Sequence, residues 1–329
     1  MRYKQEMPRI KRILLRRIHD CVGVYHHLKI LIKYGLYKSY QRVHDNNILK
    51  EFEHQLGVVA IVKNESPYLK EWIEFHKLVG VDIFYIYDNE SDDNIMEVLQ
   101  PYIDQGLVKY KFIKGKKQQL AVYNEAIEQY RNDVRWLAII DADEFIVPVE
   151  KENILDMMNS LDISFSQILV GWLIYGSNGL KKKPKGLVTD NFKYHARSEF
   201  IADYKPILNP RLVLKVGSPH WATIIGKTID ENGKRIWNYP YHTKIYAEPA
   251  SKNKIRINHY YSKSLEEFIK KSKRGYADNG SSDRLARDMD AFHEHDQNYV
   301  TDTVINKYSD MLHKRLNISE DDRSDISIK

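Results

Sequence analysis

Short apolar runs alternate with helix-like stretches between residues 57 and 140, and this alternation limits the chain to a small set of folds. Residues 57–62 are continuously apolar, which predicts a strand buried on both faces. Residues 66–79 carry apolar side chains at helical spacing, and Pro67 suits a first helical turn. The same reasoning predicts strands at 82–87, 107–113 and 135–140, and helices at 92–104 and 116–130. The pattern predicts an α/β domain whose helices cover both faces of a mostly parallel sheet.

The length and the cysteine content fit one large domain without covalent cross-links. A chain of 329 residues buries a core large enough to fold without a disulfide or a structural metal. Its one cysteine, Cys21, excludes a disulfide framework and favours a reducing, cytoplasmic compartment. We assign residues 57–280 to the main α/β domain and residues 281–329 to a charged, helical C-terminal extension.

The positive charge of the chain is concentrated in residues 1–50. The whole chain has a net charge of +6, whereas this segment alone has 12 Lys and Arg against three Asp and Glu. Its apolar side chains recur at helical spacing, which predicts one or two basic amphipathic helices. Two interpretations stay open: a helix packed on the main domain, or a helix lying in the plane of an anionic membrane surface. The second would place the protein peripherally on the inner face of the cell membrane.

The remainder of the chain is slightly acidic, with 39 Lys and Arg against 42 Asp and Glu. This balance argues against nucleic acid as a partner of the main domain. The longest uncharged run, residues 163–180, is apolar only at its centre, residues 168–175, which is too short to span a bilayer. We therefore expect a buried strand there and no transmembrane helix.

Acidic and amide side chains follow three of the predicted strands. Asn64 and Glu65 come after the first strand, residues 88–93 after the second, and Asp141 and Asp143 after the fourth. Because the carboxyl ends of parallel strands share one edge of a sheet, these groups should converge where such sheets bind ligands. Crowded carboxylates need a cation or hydrogen-bond donors, and hard oxygen ligands favour Mg²⁺ or Mn²⁺. The sequence therefore predicts a divalent cation site at this edge.

Several segments, in the same order, resemble glycosyltransferase family 92 and related family 2-like enzymes. The segments are 59–65 (VAIVKNE), 68–76 (YLKEWIEFH), 87–93 (YDNESDD), 119–124 (QLAVYN), 136–145 (WLAIIDADEF), 258–268 (NHYYSKSLEEF) and 273–275 (KRG). The resemblance covers roughly residues 57–277. It implies a GT-A fold, which is a Rossmann-like nucleotide-binding sheet, and transfer of a sugar from a nucleoside-diphosphate donor, with a UDP-sugar expected first.

The resemblance also implies roles for individual residues. Asp88 would contact the base or ribose of the donor, Asp141 the ribose or the metal, and Asp143 the Mn²⁺ or Mg²⁺ ion. His259 would approach the metal or the pyrophosphate from the C-terminal side. The remaining residues that the resemblance places in the donor site are Asn64, Glu65, Gln119, Lys263, Lys273 and Arg274, the last three as cations that neutralise the leaving phosphate.

The sequence says less about the general base and about the acceptor. An inverting transfer needs a general base for the acceptor hydroxyl, and the candidates are Glu144, Glu199, Asp203 and His220. Of these, His220 lies beside an aromatic residue that could stack on a sugar ring, and Glu144 could instead support its neighbours. The lysine-rich run 181–185 is interpreted as a solvated loop, with a lid or a contact to an anionic acceptor as alternatives. The family resemblance and the basic N-terminal segment favour a saccharide or lipid-linked saccharide of a cell-surface glycan, such as lipopolysaccharide or capsule.

Two other functions compete with this one. The first is a Mg²⁺-dependent phosphoryl-transfer enzyme with Asp141 as nucleophile, although Phe145 stands where such enzymes usually carry a hydroxyl residue. The second is a non-catalytic module that binds nucleotide sugars; the presence of Asp141, Asp143 and His259 argues against it.

Overall fold

The computed structural model describes residues 21, 24–25, 28–29, 32–48, 51–161, 163–197, 203–236, 250–273 and 288–319. Two residues singled out from the sequence, Glu199 and Arg274, lie outside the described residues, as do residues 1–20 of the basic segment.

The helices of the described chain are mostly short and lie around a central sheet. They are α1 (Leu36–Ile48), α2 (Ser66–Leu78), α3 (Ile95–Asp104), α4 (Gln119–Tyr130), α5 (Ile154–Asn159), α6 (Val188–Asn191), α7 (Leu265–Lys273), α8 (Met289–His295) and α9 (Asn306–Leu316), with a 3-10 turn at Pro210–Leu212. Among these described helices, none is long and apolar enough to cross a membrane.

The described strands form one large sheet and two small, two-stranded antiparallel sheets. They are β1 (His54–Val62), β2 (Ile83–Asn89), β3 (Val108–Ile113), β4 (Val134–Ile139), β5 (Glu144–Pro148), β6 (Gln167–Ile174), β7 (Tyr194–His195), β8 (Tyr204–Leu208), β9 (Val213–Ser218), β10 (Trp221–Ile224), β11 (Thr228–Ile229), β12 (Arg235–Ile236), β13 (Ile255–His259) and β14 (Val300–Thr301).

The large sheet has the order β12-β11-β6-β8-β4-β1-β2-β3. Strand β1 is parallel to both β2 and β4, and β2 is parallel to β3, so this half of the sheet is parallel, as the alternation of strands and helices predicted. Strand β8 is inserted antiparallel between β4 and β6. Strand β13 lies parallel to β6 and antiparallel to β5. The expected α/β class with a mostly parallel sheet and flanking helices is confirmed.

Alternating side chains of the central strands enter two separate cores. On β1, Val58 and Ala60 pack into the core beneath α2, while Val59 and Ile61 pack into the core beneath α4. Both faces of β1 are therefore buried, which explains why its sequence is continuously apolar rather than alternating. The C-terminal helix α9 contributes Tyr308 to the first core, so residues beyond 281 also pack on the domain.

Helix α1 packs on the domain through polar side chains and turns its apolar side chains outward. Arg42, its one buried residue, pairs with Glu128, and Asp45 pairs with Arg131. Asn46 accepts a hydrogen bond from Arg211 at 3.2 Å. The apolar residues on the opposite side of the helix are exposed, and they are Leu36, Tyr37, Tyr40, Val43 and Ile48. This is the reverse of the usual orientation of an amphipathic helix on a globular domain.

Candidate functional site

Asp141 lies directly after β4 and is held by the neighbouring strand β8. Its Oδ2 accepts a hydrogen bond from Lys205 Nζ at 2.8 Å. Its Oδ1 lies 3.3 Å from both Gln119 Nε2 and Tyr123 Oη, which come from the first turn and middle of α4. Because β8 runs antiparallel to β4, Lys205 can reach the carboxyl end of β4 from the far side. Gln119 and Asp141, both predicted as donor-site residues, are thus brought together.

The charge of Asp141 is maintained by Lys205. Burial alone would raise the pKa of Asp141, but the nearby ammonium outweighs burial and lowers the pKa below its ordinary value. Lys205 is 1% exposed, and its Nζ also lies 3.4 Å from Glu144 Oε2. Burial opposes the charge of Lys205, yet Asp141 and Glu144 raise its pKa above the ordinary value. Lys205 and Glu144 are buried and Asp141 is partly exposed, so the three groups form one ionic cluster that reaches the surface at Asp141.

Asp143 has a second, separate set of cationic neighbours. Its Oδ2 accepts a hydrogen bond from Lys271 of α7. His259 Nε2 lies 3.7 Å from the same oxygen. Strand pairing explains this proximity, because His259 of β13 is the direct cross-strand partner of Glu144. Burial would raise the pKa of Asp143, but Lys271 and then His259 lower it well below its ordinary value.

Glu144 is enclosed beneath the two aspartates. Its side chain is fully buried, and its Oε2 accepts a hydrogen bond from the Asp141 amide at 3.0 Å. Burial raises the pKa of Glu144 well above its ordinary value, although Lys205 acts in the opposite direction. A side chain without exposed surface cannot contact an acceptor hydroxyl, so its position is that of a support for Asp141.

His220 occupies the turn between β9 and β10, near the ionic cluster. Its Nδ1 lies 3.1 Å from the carbonyl oxygen of Tyr204, which only accepts, so Nδ1 carries the proton and Nε2 has a free electron pair. Nε2 lies 4.0 Å from Asp203 Oδ2. Burial lowers the pKa of His220, which favours the neutral ring. Its ring meets that of Trp172 edge to face at 5.1 Å, and Trp172 in turn contacts His259 at 4.2 Å between ring centroids.

The acidic loops after β1 and β2 are tied to each other by hydrogen bonds. Asn64 Oδ1 accepts from the Asp92 amide at 2.9 Å, and the Asn64 amide donates to Ser91 Oγ at 2.9 Å. Asp88 accepts from the Ser91 amide at 2.9 Å and from Tyr110 Oη at 2.8 Å. Asp88 is buried, so in this structure its carboxylate organises the loop. Glu65 is also buried and precedes the first residue of α2.

The cations predicted for the leaving phosphate are only partly described. Lys263 is buried at the end of the loop after β13, and its ammonium lies over the ring of Tyr68. Lys273 is the last residue of α7.

The donor chemistry of Asp143 and His259 fits a divalent cation. Burial lowers the pKa of His259 to about 4, so its imidazole is neutral and can act as a ligand at neutral pH. The buried Nδ1 of His259 and Oε1 of Glu144 have no hydrogen-bond partner within the described residues. Asp141 faces Lys205 instead. No group of three or more His, Cys, Asp or Glu side chains suited to a metal ion occurs in the described part of the chain.

Sequence reasoning missed the two lysines that neutralise the aspartates. Lys205 is the one charged residue of β8, whose other residues are apolar or aromatic, and an isolated charge in a buried strand indicates a buried partner. Lys271 lies on the inner face of α7, near Phe268. That face is visible only once the helix is placed against the sheet.

The fold and site together define an α/β domain with a charged cluster at the carboxyl edge of its sheet, where such folds bind ligands. The chain belongs to glycosyltransferase family 92, whose family model matches residues 58–316. The family resemblance of its motifs is thereby confirmed.

Several relatives carry the same family name or a galactosyltransferase name. A glycosyltransferase family 92 protein of Arabidopsis thaliana is 26% identical over 60% of this chain and 38% of its own length. A galactan β-1,4-galactosyltransferase of the same plant is 24% identical over 65% of this chain and 45% of its own length. A β-1,4-galactosyltransferase of Caenorhabditis elegans is 24% identical over 62% of this chain and 52% of its own length. The matched part is thus about half or less of each relative.

Solved structures match only part of the chain. The S. aureus TarS structure with UDP has a TM-score of 0.33 and 13% identity, over 47% of each chain. The glucosyl-3-phosphoglycerate synthase of Mycobacterium tuberculosis with Mn²⁺ and UDP-glucose has a TM-score of 0.26 and 12% identity, over 36% of this chain and 44% of that one. Scores of this size add nothing to the assignment.

Proposed function

We propose that the protein is a metal-dependent hexosyltransferase that moves a sugar from a nucleoside-diphosphate donor to a saccharide acceptor. The observation that carries this proposal is the meeting of Asp143, His259 and Lys271 at the carboxyl edge of a family 92 sheet. Breaking the bond between a sugar and a diphosphate develops negative charge on the departing phosphate. The three residues can supply or hold positive charge at one place, which is what this reaction requires.

Asp143 and His259 are the residues that would hold Mn²⁺ or Mg²⁺. The bound ion would supply Lewis-acid stabilisation to the diphosphate oxygens. Lys271 adds a fixed ammonium beside the same carboxylate, and Lys205 keeps Asp141 ionised at the ribose side of the donor. Asp88, Asn64 and Glu65 order the loops on which the nucleotide would rest, while Glu144 supports Asp141 from below.

We assign the proton transfer from the acceptor to His220. The free electron pair on its Nε2, the partial exposure of its ring and the neutral state favoured by its lowered pKa are the properties of a general base. Asp203, whose carboxylate lies near Nε2, would stabilise the imidazolium that forms.

A UDP-hexose, with UDP-galactose tested first, is the proposed donor. The choice of galactose rests on the names of the plant and nematode relatives. The plant relative acts on galactan by its name, which favours a polysaccharide acceptor rich in galactose. An acceptor in lipopolysaccharide or capsule stays a prediction of the sequence.

Nucleotide binding provides the test of this function. We expect UDP and Mn²⁺ together to raise the melting temperature by several degrees, because a ligand that binds only the folded state stabilises it by mass action. GDP, CDP and ADP in the same buffer are the matched controls for the base. The absence of a shift with every nucleoside diphosphate, with and without Mn²⁺, would contradict the proposal.

We also propose that the protein is cytoplasmic and lies on the inner, anionic face of a membrane through its N-terminal segment. Leu36 and Tyr40 are 74% and 67% exposed on the outward face of α1, and Ile32 before it is 74% exposed. Lys29 and Lys33 are exposed in the same segment, whose charge complements anionic lipid. Apolar side chains flanked by lysines are typical of a helix in the plane of a membrane surface.

Replacing two outward residues should release the protein from vesicles. In Leu36→Ser combined with Tyr40→Ser, we expect binding to phosphatidylcholine–phosphatidylglycerol vesicles to fall at least about tenfold in a sedimentation assay, because each change removes apolar area that would enter the lipid. Met311→Ser, an exposed apolar residue on α9, is the matched control and should bind normally. Unchanged binding of the double variant, or a wild-type dimer that the double variant abolishes in lipid-free solution, would contradict membrane association.

A further inference from the structure

The hairpin that carries His220 is a separate two-stranded sheet, formed by β9 and β10. Within the described residues, its outer edges have no neighbouring strand to bond their backbone groups. Val216 and Ala222 face each other across the hairpin, and both residues are fully buried. Buried amide and carbonyl groups need hydrogen-bond partners, because leaving one unpaired is costly. The side chains that bond this pair from outside therefore hold the hairpin in place.

Asn124 of α4 bonds the outer edge of β9. Its Nδ2 donates to the Val216 carbonyl oxygen at 2.9 Å, and its Oδ1 accepts from the Val216 amide at 3.0 Å. Nδ2 also donates to the Leu120 carbonyl oxygen at 2.6 Å, one turn earlier in α4. This third bond fixes the direction of the amide, because the opposite orientation would place Oδ1 against two carbonyl oxygens. Asn124 thus takes the place of a neighbouring strand.

Gln167 of β6 bonds the outer edge of β10 in the same way. Its Oε1 accepts from the Ala222 amide at 2.9 Å, and its Nε2 donates to the Ala222 carbonyl oxygen at 3.3 Å. Nε2 also donates to Thr228 Oγ1 at 3.0 Å, and the Gln167 side chain is fully buried. Two amide side chains therefore hold the pair of Val216 and Ala222 from both sides, and each supplies a donor and an acceptor.

The pair that the two amides hold lies close to the turn with His220. The register of the hairpin shifts between Trp221 and Ala222, immediately after that turn. Such irregularities often occur beside functional sites, where they change the direction of a nearby side chain. In the turn, His220 Nδ1 lies 3.1 Å from the Tyr204 carbonyl oxygen. Because the position of the turn depends on the pair beside it, the two amides determine where Nε2 of His220 lies.

We propose that Asn124 and Gln167 are positioning residues, which hold the β9–β10 hairpin where His220 can accept the proton of the acceptor hydroxyl. The inference rests on the proposed function, in which His220 is the general base. Helix α4 then serves both sides of the site, because Gln119 contacts Asp141 and Asn124 positions the base. Since both amides act through His220, their loss should slow proton transfer and leave donor binding unchanged.

Transfer kinetics of Asn124→Asp in the full chain test this positioning. Aspartate keeps the shape of the side chain but removes both donor hydrogens, so an oxygen faces the carbonyls of Leu120 and Val216. We expect kcat to fall at least about tenfold while KM for UDP-galactose stays within about twofold, because a misplaced base slows the reaction only. In a His220→Ala background, the same change should alter kcat less than about twofold. Equal losses in both backgrounds would overturn the inference.

A second measurement does not depend on activity. The ring-nitrogen NMR signals of His220, identified by their loss in His220→Ala, should show the Nδ1–H tautomer in the wild type. In Asn124→Asp they should show a mixture of tautomers, because the ring loses its fixed contact with the Tyr204 carbonyl oxygen. Gln167→Glu should have the same effect from the other side of the hairpin.

Asn178→Asp is the matched control. Asn178 is also half-buried and also bonds the backbone of another segment, at the Asn191 carbonyl oxygen (2.7 Å) and the Tyr194 amide (3.3 Å). This variant should leave kcat and the His220 signals unchanged. If the wild type releases no UDP from UDP-galactose, the proposed function fails, while altered His220 signals in Asn124→Asp still support the positioning. Unchanged signals in both hairpin variants would overturn it.

Discussion

Asp143→Asn should lower sugar transfer by about a thousandfold or more while the protein remains folded. The carboxylate of Asp143 is the group that Lys271 bonds and that His259 faces, so it is the natural ligand of a cation at the departing diphosphate. Asparagine keeps the shape of the side chain but removes its charge. The change can be measured as UDP released from UDP-galactose in the presence of Mn²⁺.

Asp104→Asn provides a control of the same chemistry at a distant place. Asp104 ends α3 and is exposed, so its variant should retain wild-type activity. The Asp143 variant should also lose the additional stabilisation by Mn²⁺ and UDP, which reports on binding independently of turnover. Activity of Asp143→Asn within a few fold of wild type would exclude this carboxylate from the reaction.

Lys205→Met should lower the free energy of unfolding by about 3–5 kcal/mol. Removing this ammonium leaves Asp141 and the fully buried Glu144 without their cation. Methionine occupies a similar volume, so the loss reports on charge rather than on packing. Urea unfolding of the variant gives the value, and Lys314→Met, an exposed lysine on α9, is the control.

The loss in Lys205→Met should depend on pH in a defined direction. In the wild type, the lowered pKa of Asp141 means that its ion pair contributes stability above the unfolded pKa, and this contribution is lost as pH falls through the folded pKa. The pKa of Glu144 is already raised in the wild type, and without Lys205 burial should raise the pKa of Asp141 as well, so the variant is most stable when both carboxyls are neutral. The difference in the free energy of unfolding between wild type and variant should therefore increase from about pH 5 to about pH 8. A gap that does not change with pH would contradict an ionic role for Lys205.

The alternating strands and helices between residues 57 and 140 were predictable because the spacing of apolar residues reflects which side chains are buried. The predicted strand at 107–113 and helix at 66–79 agree with β3 (Val108–Ile113) and α2 (Ser66–Leu78) to within a residue or two. The insertion of β8 between β4 and β6 was not predicted. It depends on long-range antiparallel pairing between residues far apart in the chain, and neither strand carries a local signal for its partner.

The acidic residues of the site were predictable because they directly follow predicted strands. The lysines that form ion pairs with them were not predictable. Asp141, Asp143 and His259 were placed together by motif order, and the structure brings them to one edge of the sheet. Lys205 and Lys271 come from elements whose position against that edge follows from tertiary packing alone. The orientation of α1 was not predictable either. Its sequence indicates a helix, but the ion pair of Arg42 with Glu128, which turns the apolar face outward, depends on tertiary packing.

Identifying which bond of a nucleotide sugar the protein breaks is the most direct test of the proposed sugar transfer. Stoichiometric protein, Mn²⁺ and UDP-galactose should give UDP and galactose, or galactose attached to a galacto-oligosaccharide acceptor, and mass spectrometry separates these products. Slow hydrolysis by water makes the outcome independent of the chosen acceptor. The wild type should release more UDP than Asp143→Asn does. Formation of UMP and galactose 1-phosphate would instead assign the protein to phosphoryl transfer and would contradict sugar transfer.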